Sequence, residues 1–386
     1  QIAQVSVNML LETILLSSFF VLCYTYAGYP LLLLIWSQVS KKPILREQKF
    51  PPVTIVIAAW NEGNRLAARI ENCLNQKYPH NHLDVVIVSD GSTDLTESVV
   101  KSFEPNRVKL VALEKRFGKA MALNAGVAVA RGEVIVFTDA RQRFTPTAVV
   151  ELAANFADPQ VGAVSGELVL ESGAGQAALE GIGLYWKMEK WIRRKEGVID
   201  SVVGATGAIY AIRRSVFEPL PPGTILDDLL IPMRIAMKGF RVVFEKRAVA
   251  FDQLTRDYHR EFKRKVRTLA GNYQAISLCP DLIRPWRNRL FVQFLSHKIL
   301  RLLVPFVLVL LLISNLALSE GWFGYLLVAQ LIFYAGALSG WGLKRIGVHE
   351  RWTSLAFSFC LLNLAALVGA IRFVKKDTAL WTRTSE

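Results

Sequence analysis

Val134-Ile-Val-Phe-Thr-Asp-Ala-Arg141 is an apolar run of strand length that ends on one carboxylate, Asp139, with a guanidinium two positions later. Strands buried on both faces of a parallel sheet read as continuous apolar runs. Open α/β sheets bind ligands beyond the C-terminal ends of their strands, so Asp139 marks where chemistry belongs. Working outward, Val53–Ala58, Leu83–Ser89 and Val108–Leu113 repeat the pattern, with helix-like stretches at 64–76 and 119–130 between strands. This order predicts an α/β fold, a parallel sheet with helices on its faces. Polar segments follow the strands: Trp60-Asn61-Glu62-Gly63, Ser89-Asp90-Gly91-Ser92-Thr93-Asp94, and Arg116-Phe117-Gly118-Lys119 leading into Ala122-Leu123-Asn124-Ala125-Gly126. The second half predicts a strand at 161–169, a helix at 176–195, a strand at 205–212, a helix near 227–238, a strand at 242–244 and a basic helix at 256–277.

The chain has 386 residues, 52% of them hydrophobic, and that apolar content is uneven. Four runs, at 9–36, 299–318, 322–343 and 352–374, have spanning length. The expected division is therefore an N-terminal transmembrane anchor and basic linker (1–49) and a cytoplasmic domain (50–282). An amphipathic interface helix (283–298) and about three C-terminal transmembrane helices with a tail (299–386) follow. The first run lacks the basic start and small-residue cleavage site of a signal peptide. Lys41, Lys42 and Arg46 put the soluble domain in the cytoplasm by the positive-inside rule, and Lys298, Arg301, Lys344, Arg345 and Arg351 agree. Four spans from an outside N-terminus would leave Arg372, Lys375 and Lys376 outside. Either one run is not a full span or those charges break the rule. The formal charge of +14 comes without a nucleic-acid-reading motif, so membrane lipid and a phosphate-bearing ligand are expected as partners, not nucleic acid. Cys23, Cys73, Cys279 and Cys360 have no metal-site spacing and read as packing residues in a reducing compartment.

Taken singly, the Ser89–Asp94 segment is an Asp-rich turn with a helix cap, and Asp227-Asp228 is an N-cap with favourable dipole charge. Taken together, in this order and spacing over about 50–275, the segments resemble glycosyltransferase family 2. The resemblance is to its membrane-integral branch of hyaluronan, cellulose and poly-N-acetylglucosamine synthases. It implies a GT-A type nucleotide-diphospho-sugar transferase domain inserted between transmembrane helices of a bacterial plasma membrane. It implies a nucleotide-sugar donor, a UDP-sugar, bound by Ala58, Glu62, Asp90, Lys119, Asp139 and Arg267. Asp139 would hold a divalent metal, Mg²⁺ or Mn²⁺. Gly204, Thr206, Gly207, Asp227 and Trp186 would line the acceptor site, and Asp228 would be the catalytic base. The chemistry is coherent: a diphosphate leaving group needs positive charge, and a base opposite the nucleotide takes the acceptor proton in an inverting displacement.

Two positions depart from the family pattern. Arg141 stands where a second carboxylate is usual, which implies weaker metal dependence. Arg264-Lys265-Val266-Arg267-Thr268 aligns with the synthases' Gln-x-x-Arg-Trp motif, keeping Arg267 but losing the Gln and the Trp platform for a growing polymer. The function expected is sugar transfer to a lipid-linked or growing glycan acceptor in exopolysaccharide or envelope assembly, with partner subunits of an export or assembly system in view. A processive β-polysaccharide synthase, a polyprenyl-phosphate monosaccharide transferase and a non-catalytic membrane scaffold are the alternatives.

Overall fold

The computed structural model describes residues 2–171, 180–253, 258–346, 348 and 350–377. The expected starts of the helices at 176 and 256 lie outside the described residues, as does the tail from 378.

Eight strands among the described residues form one mixed sheet. They are β1 (Val53–Ala59), β2 (Leu83–Asp90), β3 (Val108–Leu113), β4 (Val134–Thr138), β5 (Arg143–Phe144), β6 (Val161–Glu171), β7 (Tyr210–Arg213) and β8 (Arg241–Gln253), in the order β3-β2-β1-β4-β7-β6-β8-β5. β3, β2, β1 and β4 are parallel, with Ile57 facing both Ile87 and Thr138. β7 runs antiparallel between β4 and β6, which ends the parallel half beside Asp139. The sequence predicted β7 as a longer strand; only 210–213 pair, because 204–207 turn back toward the Asp227–Met237 helix.

Alternation along the strands feeds two cores. Ile55, Ile57 and Val136 join Leu66 and Ile70 of the Gly63–Leu74 helix on one face. Val56, Ile135 and Phe137 join Leu123 and Val127 of the Lys119–Val129 helix on the other. All five residues of β4 are buried. At about 1.5–3 kcal/mol for each buried aliphatic or aromatic side chain, this two-sided burial is what pins the strand ends that display the polar segments.

Four helical stretches, Val5–Val39, Phe291–Ala317, Trp322–Leu343 and Arg351–Val374, are long and apolar enough to cross a membrane. The separate interface helix expected over 283–298 is not formed. Residues 284–290 are turns, and Phe291 begins the helix that continues into the second apolar stretch. The mixture of Arg with Leu and Phe there is a turn abutting a span. A buried ion network fastens these helices to the domain. His297 lies 2.9 Å from both Glu189 and Glu196 of the Glu180–Ile199 helix, Tyr29 donates to Glu196 at 2.6 Å, and Arg301 donates to Glu189 at 2.7 Å.

Candidate active site

The turns after β1 and β2 are knitted together. Asn61 takes a left-handed backbone (φ 53°), and its Oδ1 accepts the Thr93 amide at 2.8 Å. Asp94 accepts the Gly63 amide at 3.0 Å, and Thr96 Oγ1 accepts the Glu62 amide at 2.9 Å. Glu62 is buried and paired with Arg65 at 3.2 Å. Ala58, half-buried on β1, offers only backbone and a methyl group. Asp90 is buried and accepts the Phe117 and Gly118 amides at 2.7 and 2.8 Å, one on each oxygen, while keeping further lone pairs. Its structural effect is to fix the loop ahead of Lys119. Gly91 permits that loop to close: a Cβ there would stand 2.5 Å from the Lys115 carbonyl carbon, on a backbone with φ 64°. Arg116 stacks 3.6 Å over the Trp60 ring, leaving an aromatic and cationic wall beside the strand ends.

Lys119, the first residue of its helix, reaches across the sheet edge between carboxylates that are far apart in sequence. Its Nζ lies 3.0 Å from Asp139 Oδ1 and 3.1 Å from Asp227 Oδ1. Burial pulls its pKa down, but Asp139, Asp227 and Asp228 outweigh that and hold the ammonium well above its ordinary value. Asp227, buried, also accepts the Tyr210 hydroxyl at 2.8 Å. Neighbouring Asp228 has a different setting. Burial and then the Asp227 charge push its carboxyl up to about 6, against the opposing pull of Lys119 and Arg193. One carboxylate is thus locked in an ion pair while the adjacent one is poised to take a proton near neutral pH.

The segment 204–207 is moulded to Asp228. Its carbonyl accepts the Ala205 amide at 2.6 Å, and its Oδ2 accepts the Gly207 amide at 3.0 Å. A Cβ at Gly207 would stand 2.8 Å from that same oxygen. Gly207→Ala is expected to shift the carboxylate and lower kcat/KM by about 10–100-fold, since misplacing a reacting group by a fraction of an ångström is costly. Nucleotide affinity, read by calorimetry, is expected to stay within a factor of two or so of wild type. Thr206 accepts from Arg193 at 2.6 Å and donates its amide to Ser165 at 3.0 Å.

The structure brings together Lys119, Asp139, Asp227, Asp228 and Gly207, and fixes Glu62 and Asp90 at adjoining strand ends. Trp186 lies instead under the Lys265 ammonium, 5.0 Å from its ring. Arg267 is on the Tyr258–Leu278 helix, one turn before Gly271, which packs against Leu226 just ahead of Asp227. Arg141 directs its Nε to Asp252 on β8 at 3.2 Å. The sequence reading missed Tyr210, Arg193 and Gln274, which accepts the Ile225 amide at 2.8 Å and so holds the approach to Asp227. Their partners lie 17, 13 and 49 residues away with no motif linking them.

Among the described residues no three His, Cys, Asp or Glu side chains converge as a ready-made metal site. Asp139, 28% exposed at the strand end, is a hard oxygen donor of the kind that divalent cations take.

The family model described as glycosyl transferase family 2 matches residues 54–220. A poly-beta-1,6-N-acetyl-D-glucosamine synthase of Staphylococcus aureus is 24% identical over 242 residues, 61% of this chain and 58% of the relative. The probable glycosyltransferase YdaM of Bacillus subtilis is 25% identical over 262 residues, 63% of this chain and 60% of that protein. The match therefore spans less than two thirds of either relative. In fold, the chain is similar to the mannosyltransferase PcManGT of Pyrobaculum calidifontis, solved with GDP-Man and Mn²⁺, with a TM-score of 0.70 and 23% identity over 95% of this chain and 99% of that one. The chain therefore carries, over residues 54–220, a domain of glycosyl transferase family 2 with the GT-A fold.

Proposed function

We propose that the protein is a membrane-integral inverting glycosyltransferase of the bacterial plasma membrane. It moves a sugar from a nucleotide-diphospho-sugar, a UDP-sugar, to a lipid-linked or growing glycan acceptor in exopolysaccharide or envelope synthesis. Residues 50–282 form its cytoplasmic catalytic domain. The observation that carries this reading is the cluster of Lys119 with Asp139, Asp227 and Asp228 at the C-terminal edge of the parallel strands. Lys119 supplies positive charge toward a departing diphosphate, and Asp228 takes the acceptor hydroxyl's proton. Glu62 and Asp90 meet the nucleoside, Arg267 the pyrophosphate, and Gly204, Thr206 and Gly207 the acceptor. A divalent ion bound at Asp139 would add Lewis-acid stabilisation of the leaving group.

Processive synthesis is the second reading, favoured by similarity to a poly-N-acetylglucosamine synthase and opposed by Thr268 in place of the aromatic platform. Purified protein given single nucleotide-sugars with Mg²⁺ or Mn²⁺ is expected to yield a short glycolipid by mass spectrometry. A long polymer would select the synthase, and no turnover across a donor panel would select a scaffold.

Arg141 bears on the metal. Its guanidinium, 29% exposed, pairs with Asp252, and the position lacks the second carboxylate that would share a cation with Asp139. Arg141→Asp is expected to lower the half-saturating Mn²⁺ concentration for donor turnover by about tenfold, by adding a hard oxygen ligand. An unchanged titration would count against this role.

A further inference from the structure

We propose that Arg193 is a positioning residue for the base: it ties the segment that cradles Asp228 to the ion network at the membrane helices, and it sets a compensating positive charge beside that carboxylate. This role rests on the transferase reading above and falls to a residue that the reading leaves unused. Glu189, Arg193 and Glu196 stand at i, i+4 and i+7, so they share one face of the Glu180–Ile199 helix. The two carboxylates grip the Phe291–Ala317 stretch. His297 puts one ring nitrogen 2.9 Å from each, and Arg301 donates to Glu189 at 2.7 Å. Burial would raise the Glu189 carboxyl, but His297, Lys298 and Arg301 hold it well below the usual carboxylate range, so it is an anchor of fixed charge.

The same helix face grips the segment in front of Asp228. Glu196 Oε2 accepts the Val203 amide at 3.3 Å. The Arg193 fork reaches two ways, with Nε 3.4 Å from Glu189 Oε1 and Nη1 donating to Thr206 Oγ1 at 2.6 Å. Thr206 is held from another side as well, its amide donating to the buried Ser165 hydroxyl at 3.0 Å. The segment in turn clasps Asp228 at two points, through the Ala205 amide on its carbonyl and the Gly207 amide on Oδ2. Residues 203–207 are therefore a thin layer with the membrane-side network behind it and the base in front. Arg193 pins the middle of that layer.

Charge adds a second effect. Burial and then Asp227 lift the Asp228 carboxyl to about 6, while Lys119, Arg193 and Lys298 pull it back. Tyr210 of β7 faces the same pair and donates to Asp227. Lys119 is shared between Asp139 and Asp227, whereas Arg193 is fixed to the cradle of Asp228 itself. Arg194 gives the contrast. One position along, it turns away to Glu167 at 3.0 Å and is 50% exposed.

The test uses the full chain in nanodiscs of bacterial lipid extract, given the nucleotide-sugar that the wild type turns over. Arg193→Met is expected to move the acid limb of kcat alkaline by about half to one pH unit and to lower kcat on its plateau about tenfold. Donor affinity by calorimetry is expected to stay within about twofold of wild type. Arg193→Lys keeps the charge but not the fork, so its acid limb should return to near pH 6 while kcat recovers only in part. Arg194→Met removes the same charge one residue away and should leave both unchanged. A limb unmoved by Arg193→Met, a limb moved equally by Arg194→Met, or full kcat in Arg193→Lys would each overturn the proposal. The Lys variant carries the test if the Met variant does not fold.

Unfolding gives a readout that needs no turnover. The stability gained by Asp228→Asn begins to shrink as pH falls through the Asp228 pKa, so in the Arg193→Met background that onset should lie about half to one unit higher. An unmoved onset alongside normal wild-type turnover would sink the Arg193 role and spare the transferase. A moved onset with no wild-type turnover on any donor would do the reverse.

Discussion

Asp228→Asn is expected to abolish nearly all sugar transfer, lowering kcat by about 10²–10⁴-fold while the donor still binds, and at the same time to make the protein more stable. Both effects follow from one cause. The Asp228 carboxyl is held up at about 6 by burial and the Asp227 charge, so its ionised form is penalised in the fold. An acid whose folded pKa exceeds its unfolded value costs stability above the folded pKa, and the cost vanishes below the unfolded one. The rise from 3.8 to about 6 corresponds to roughly 3 kcal/mol at neutral pH. Asn removes the charge and keeps the acceptor oxygen for the Gly207 amide. Thermal unfolding is therefore expected to favour the variant at pH 7.5, with the difference shrinking through pH 6 and disappearing near pH 3.5. The wild-type activity profile should show its acid limb near pH 6, because the base works only when ionised. A variant that loses transfer but gains no stability at pH 7.5 would show that Asp228 is not held under electrostatic tension.

The parallel half of the sheet is legible because burial on both faces leaves a simple record: Val53–Ala58, Thr54 apart, and Val134–Phe137 are apolar runs, and each stops where polar residues are needed. The strand-end carboxylates are legible for the same reason. What the chain does not announce is pairing across distance. Lys119 gives no hint that it meets Asp227, over a hundred residues later, because that encounter depends on β7 entering antiparallel beside β4. The joint formed by His297, Glu189 and Glu196 is equally silent, since its members lie 101 and 108 residues apart and a lone histidine in an apolar run reads as core. Residues 283–298 misled for a local reason: arginines in a turn and the first apolar turns of a span together imitate an amphipathic helix.

Lys119→Met is expected to produce the second large effect and to separate the lysine's two jobs. If Lys119 only faced the donor's phosphates, its loss would weaken binding and lower kcat/KM at all pH values alike. Placed 3.0 Å from Asp139 and 3.1 Å from Asp227, however, it also holds the proton affinity of Asp228 down. Its removal leaves burial and the Asp227 charge opposed by Arg193 and Lys298, so the Asp228 carboxyl should rise by about one to three pH units and be at least half protonated at pH 7. The acid limb of kcat/KM then moves alkaline by that amount, on top of a loss of about 10²–10³-fold from missing leaving-group stabilisation. Stability should fall by about 2 kcal/mol, less than for a fully buried pair because Lys119 is 31% exposed. Lys119→Arg keeps the charge, so it should restore the acid limb more fully than the rate, since the fork of a guanidinium cannot sit between two carboxylates as an ammonium does. A Met variant whose activity drops with the acid limb unmoved would assign Lys119 to the donor alone and leave the poise of Asp228 to burial.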